Sequence, residues 1–280
     1  MIKRFIWPND ACAALTITFD DGYADTYHET SVWLAEHGLG ATYYVVSRHV
    51  GTCFENIPTA TWENWRHAAQ LGHEIASHSA THASMAGSYW DIRRTFLGIV
   101  AAPDRRAFIR QTVLRTLALR KYQQKSNDLQ DHINPLLEPS VSRQEIKHEL
   151  PECPVVSFSY PAGRINRAAR QAVAKAGYQS ARGNEAGVNR GIVSPFTLRS
   201  ICLGPGLTLD ELEPWFLRTI EQAGWLILTF HLVSKTNSAQ YPYHCGVVDF
   251  RRIVNRIIEL PFWVTTQQAV VEHFEMGTPK

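Results

Sequence analysis

The run Ala14-Leu15-Thr16-Ile17-Thr18-Phe19-Asp20-Asp21-Gly22 carries an apolar, β-branched segment straight into two carboxylates and a glycine. Ala14–Phe19 reads as a strand. Two adjacent like charges at its end are costly, because burial raises the pKa of at least one unless a cation or donor compensates. Neighbouring strand residues point to opposite faces, but at a strand end the twist can bring both side chains toward one pocket. Gly22 then allows a sharp turn.

Outward from this segment, strand and helix patterns alternate almost from end to end. Residues 41–46, 74–77, 155–160, 198–203, 226–230 and 262–265 read as further strands. Residues 23–37, 62–71, 167–176, 209–223 and 248–260 carry apolar residues at helical spacing. Gly38, Gly72 and Gly177 stand where helices are expected to end, and Thr208 or Asp210 where one begins. Such alternation predicts an α/β fold with a mostly parallel sheet, either a barrel or a doubly wound sheet. A single domain over residues 1–280 is expected. Residues 88–150 break the rhythm and read as a helical insertion. Within it, residues 105–125 hold seven basic side chains and no acid, with Ile109, Val113 and Leu117 on one face. That face packs on the core or serves as a lid, a subunit contact or a peripheral membrane contact.

Composition narrows the class. Of 280 residues, 45% are hydrophobic and 19% charged, which excludes disorder and a charge-rich coiled coil. The net charge of +2 indicates no bulk attraction to nucleic acid. The best apolar run, residues 225–230, falls far short of the ~18 residues of a membrane span. Pro8, Asn9 and Asp10 interrupt the basic start before an export signal's apolar core forms. Five cysteines without a Cys-x-x-Cys pair read as reduced thiols, so a cytoplasmic protein is expected.

Three more strand ends carry chemistry. His78-Ser79-Ala80-Thr81-His82 places two imidazoles at i, i+4, which on a helical turn face the same way and can share one metal ion. Ser159-Tyr160-Pro161-Ala162-Gly163 makes a rigid loop whose backbone N–H groups can point into a pocket. The last is His231, directly after the strand that begins at Trp225. His73 reads as a packed or exposed histidine. Together the four ends describe metal-assisted hydrolysis.

These motifs resemble those of the polysaccharide deacetylase family, also called the NodB-homology family or carbohydrate esterase family four. The likeness spans residues 14–274, with 88–150 poorly matched. It implies a distorted (β/α)7-type barrel. It also implies that Asp21, His78 and His82 bind one divalent metal per chain, usually zinc. Asp20 would be the general base and His231 the general acid. The backbone N–H of Ala162 would help hold the oxyanion, with Tyr160 and Pro161 beside it at the substrate.

Two departures stand out. The family's third motif commonly begins with an arginine that supports the catalytic acid, and here it begins with Ser159, so Asp20 is expected to be less firmly oriented. The family's fourth motif usually offers an Asp that orients the acid histidine, and residues 180–195 hold no Asp. Glu185 is the nearest carboxylate, and Arg199 is a candidate for the positive group facing the pocket.

Tyr23, Tyr160 and Trp225 suit either sugar stacking or the core. The expected reaction removes an N-acyl group, an acetyl first of all, from an amino sugar, including small or lipid-linked substrates. Alternatives are hydrolysis of another non-peptide C–N bond such as a cyclic amide, a non-catalytic carbohydrate-binding relative, and a two-histidine, one-carboxylate iron oxygenase.

Overall fold

The structure, a computed structural model, describes residues 6–86, 104, 106, 134–190, 194–204, 207–235 and 241–276. Apart from Arg106, the basic run 105–125 lies outside them.

The first half of the chain supplies β1 (Ala13–Phe19), α1 (Ala24–Glu36), β2 (Ala41–Val45), the short pair β3 (Cys53–Phe54) and β4 (Ile57–Pro58), α2 (Trp62–Gln70) and β5 (Glu74–Ser77). After residue 134 come α3 (Glu138–Glu149), β6 (Ser157–Ser159), α4 (Arg167–Lys175), β7 (Ser180–Arg182) and β8 (Ile201–Cys202). The chain continues with α5 (Leu209–Glu221), β9 (Trp225–Phe230), β10 (Leu232–Ser234), β11 (His244–Gly246), α6 (Val247–Ile258), β12 (Phe262–Val264) and α7 (Gln267–Met276).

Seven strands pair in the order β7-β6-β5-β2-β1-β9-β8, and β12 joins beside the first half of β1. Every pairing in this sheet is parallel. Its two ends meet through Leu198, whose N–H donates to Ala181 and whose carbonyl accepts from Gly183. The sheet is thus curled into the expected distorted (β/α)7-type barrel. The described part of the 88–150 stretch includes α3, which packs on β5 and α4.

The two faces of the strands have opposite character. Leu15, Ile17, Phe19, Tyr43, Val45, Ile75, Phe158, Leu226, Leu228 and Phe230 belong to one apolar cluster with helix residues such as Trp65 and Phe250. The alternate residues line the interior. Ala14, Trp225 and Ile227 close its lower end with Trp7, Val270 and Val271. Higher up the interior is polar and cross-linked. Thr42 donates to Glu74 (2.8 Å), Tyr44 to Gln267 (2.6 Å), and Gln267 to Ser180 (2.8 Å). Each buried donor or acceptor left unmade there would cost roughly 1–3 kcal/mol, so these bonds also specify the register.

Helix ends follow the sequence signals. Thr61 with Asn64 and Thr208 with Glu211 form capping boxes. Gly38, Gly72 and Gly177 follow their helices with positive φ. No helix among the described residues is long and apolar enough to cross a membrane.

Candidate active site

The two-residue period of a strand selects most of the site. Continuing the interior faces of Thr16/Thr18, Glu74/Ala76, Ser157, Ser180 and Ile227/Thr229 leads to Asp20, His78, Ser159, Arg182 and His231 at the same end of the barrel. Asp20 is anchored there by its N–H to the Phe230 carbonyl (3.0 Å), and His78 by its N–H to that of Val45 (2.8 Å).

Asp21 is out of phase and would point outward. Its left-handed backbone (φ +72°) re-aims it, and Gly22 (φ +76°) completes the turn. The His78–His82 segment is likewise not the helical turn expected from i, i+4 spacing. It is a loop in which Ser79 (φ +72°) and His82 (φ +63°) are left-handed. Such conformations cost of order 1–3 kcal/mol for non-glycine residues and persist only where the surroundings impose them. Here Glu138 holds the two residues that lie between Ser79 and His82. Its buried carboxylate accepts from the N–H groups of Ala80 (2.9 Å) and Thr81 (2.7 Å) and from the Thr81 hydroxyl (2.8 Å).

Asp21 Oδ1 lies 3.6 Å from His78 Nε2 and 3.7 Å from His82 Nε2. It is buried without a hydrogen-bond partner, whereas Oδ2 accepts from the Tyr241 hydroxyl (3.1 Å). His78 Nδ1 faces the Ser159 carbonyl at 2.9 Å, which can only accept, so Nδ1 carries the proton and Nε2 offers its lone pair. Burial pushes the His78 pKa down to about 3 and that of His82 down as well, so both imidazoles are neutral at physiological pH. Burial, then the neighbouring charges of Asp20 and Glu55, raise the Asp21 carboxyl well above the usual carboxylate range. An orphaned oxygen facing two neutral imidazoles fits a divalent cation, and one carboxylate with two histidines is a zinc-type donor set. Among the described residues no other such group of three converges.

Asp20 differs from expectation. Its Oδ1 is ion-paired to Nη2 of Arg182, which is fully buried. Its Oδ2 has the Ser159 hydroxyl at 3.4 Å and His78 Nε2 at 3.7 Å. The expected weaker orientation of Asp20 is therefore corrected, because Arg182 supplies the cation that Ser159 cannot. Removing one partner of such a buried pair typically costs about 3–5 kcal/mol.

His231 is 8% exposed, and its ring stacks on Tyr243 at 4.5 Å. Ala162 is exposed and left-handed (φ +53°) between buried Pro161 and Gly163. Tyr160 is buried and donates to the Phe196 carbonyl (3.2 Å). Tyr23 and Trp225 are also buried, and Trp225 Nε1 donates to Thr16 (3.0 Å). Tyr160 and Trp225 belong to the core, whereas the Tyr23 ring meets Tyr241 edge-on (5.3 Å between centroids) beside the Asp21 carboxyl. Arg199 pairs with Glu185 at 2.7 Å with 42% of its side chain exposed, while Arg182 is the arginine that reaches the acid pair. His73 is buried, with Nε2 2.8 Å from the Ser31 carbonyl.

Sequence reading missed Arg182, Tyr241 and Glu138. Arg182 sits on a three-residue polar strand without an apolar run. Tyr241 lies in a loop, and Glu138 in the stretch read as an insertion. The only local signal was Glu138-Pro139, an acid and a proline at a helix start.

A sequence model described as polysaccharide deacetylase matches residues 8–181. The provisionally named polysaccharide deacetylase YxkH of Bacillus subtilis (strain 168) is 24% identical over 201 residues, covering 72% of this chain and 54% of that protein. The chain thus spans about half the length of this curated relative. A Mycobacterium smegmatis crystal structure with the same provisional family name superposes with a TM-score of 0.59 at 15% identity, covering 99% of this chain and 96% of that one. A mutant of BA3943, a carbohydrate esterase family four pseudoenzyme with restored activity, gives 0.52 at 14% identity, covering 95% and 70%. At these identities the structural likenesses speak for the fold alone.

Proposed function

Because the chain belongs to the polysaccharide deacetylase family, we propose that it hydrolyses an N-acyl group, an acetyl first of all, from an amino-sugar substrate. One observation carries this reading: Asp21 Oδ1, buried and unpartnered, faces the lone pairs of His78 and His82. In this proposal these three residues hold one divalent cation, zinc. When bound, such a cation polarises a carbonyl oxygen and brings a water's pKa toward ~7. Asp20 takes the proton of the attacking water through Oδ2, the oxygen turned toward His78. The backbone N–H of Ala162 helps hold the oxyanion beside Pro161. Protonated His231 gives its proton to the departing amine, which would otherwise be a poor leaving group. The products are a small acid and a free amine. The five free thiols support a reducing, cytoplasmic setting, and so a small or lipid-linked substrate.

The test is release of acetate and amine from N-acetylglucosamine oligomers by the chelated and the zinc-loaded protein. Release is expected only with metal. In Asp20→Asn it should fall roughly 10²–10⁴-fold with zinc retained. Saccharide binding without amine release at any metal loading would refute the reading in favour of a binding protein.

A further inference from the structure

Ser159 and Arg182 are register partners on the parallel strands β6 and β7. Register partners project from the same face of a sheet, on strands ~4.8 Å apart. Here that face is the barrel interior, where both residues are fully buried. The Arg182 guanidinium reaches Asp20 Oδ1, while the Ser159 hydroxyl lies 3.4 Å from Oδ2 of the same carboxylate, and Nη1 is 3.2 Å from Asn184 Oδ1. The guanidinium lies over the Tyr44 ring, 4.7 Å from its centroid. An arginine cannot shed its proton, so a buried one must be matched by an anion. Asp20 is that anion, and the match divides its two oxygens. Oδ1 is committed to Arg182, whereas Oδ2 is left facing His78 and Ser159.

We propose that Arg182 is the positioning residue for Asp20, supplied from the strand next to the one that bears the third motif, and that Ser159 is small so that this arginine can pass over it. The pair acts as a unit. A long side chain at 159 and Arg182 compete for one space, and a short one at both leaves Asp20 unheld. The proposal rests on the reading of Asp20 as the proton acceptor.

The decisive comparison is Arg182→Ser against the exchange Ser159→Arg/Arg182→Ser, which moves the cation back by one strand. Arg182→Ser is expected to lose about 10–100-fold in kcat, with KM and zinc stoichiometry near those of the wild type. The exchange is expected to recover most of that loss. Wild-type kcat in Arg182→Ser, or an exchange variant that folds and holds zinc yet stays as slow, overturns the proposal. Should Arg182→Ser fail to fold, the exchange variant decides alone, since it restores a folded, active protein only if the cation's position is what matters. Crystal structures separate this proposal from the proposed function. If the wild type releases no amine from any acetylated sugar, the function fails, but the Asp20 orientation still judges Arg182. Asp20 turned in Arg182→Ser and restored in the exchange supports the role. Asp20 unmoved in Arg182→Ser refutes it.

Discussion

Tyr241 donates its phenol proton to Asp21 Oδ2 at 3.1 Å, joining residues 220 positions apart in the chain. The bond occupies one oxygen of the candidate metal ligand and leaves the other turned to His78 and His82. Tyr241→Phe removes that donor while the ring keeps its edge contact with Tyr23, at 5.3 Å between centroids. Zinc affinity should fall about 10–100-fold, with little change in melting temperature. Competition titration against a chromogenic chelator measures it, and an unaltered affinity would remove Tyr241 from the site.

Glu138 satisfies two N–H groups and a hydroxyl of the loop that presents His82. Glutamine in its place offers a single acceptor oxygen and turns an amide toward donors. Glu138→Gln should lower stability by roughly 1–3 kcal/mol and weaken zinc binding in the same preparation. Urea unfolding with and without zinc reads both effects. Loss of stability with full zinc affinity would show that the loop holds His82 without this carboxylate.

The pH dependence of metal binding follows from which groups carry protons in the metal-free protein. His78, with its pKa lowered to about 3, and His82, shifted the same way, are already neutral through the physiological range. Asp21, its pKa raised by burial, takes up a proton more readily than an ordinary carboxylate, and the cation must displace that proton wherever it is bound. Affinity is therefore complete above the raised Asp21 pKa and declines as pH falls through it, by about tenfold per unit for one proton. Calorimetry between pH 5 and 8 in buffers of different ionisation enthalpy counts the protons. A release that climbs above one proton per ion as pH falls through about 6.5 would mean that the imidazoles titrate as exposed ones do.

His231 is assigned to the leaving group, so its importance should depend on that group. His231→Ala is expected to slow amide hydrolysis roughly 10²–10⁴-fold. It should slow hydrolysis of an aryl acetate much less, because a phenolate departs without a proton. Equal losses on both substrates would contradict an acid role and point instead to substrate binding.

Much of this was legible in the chain itself. Apolar and polar residues alternate in 14–19, and the two-residue strand period carried through 41–45, 74–77 and 225–230 specifies which side chains meet helices and which face inward. The same period, carried one step past each strand, selects Asp20, His78 and His231. Period two is local, set by the pleat, and needs no knowledge of partners. What lay beyond it depended on pairing. The left-handed turns at Asp21, Ser79 and His82 are imposed by neighbours. Tyr241 and Glu138 reach the site from distant segments, and Arg182 reaches Asp20 only because β7 lies beside β6 in one particular register. Side-chain order along a strand is written in covalent geometry, whereas the meeting of two strands is decided by the burial and hydrogen bonding of the whole barrel.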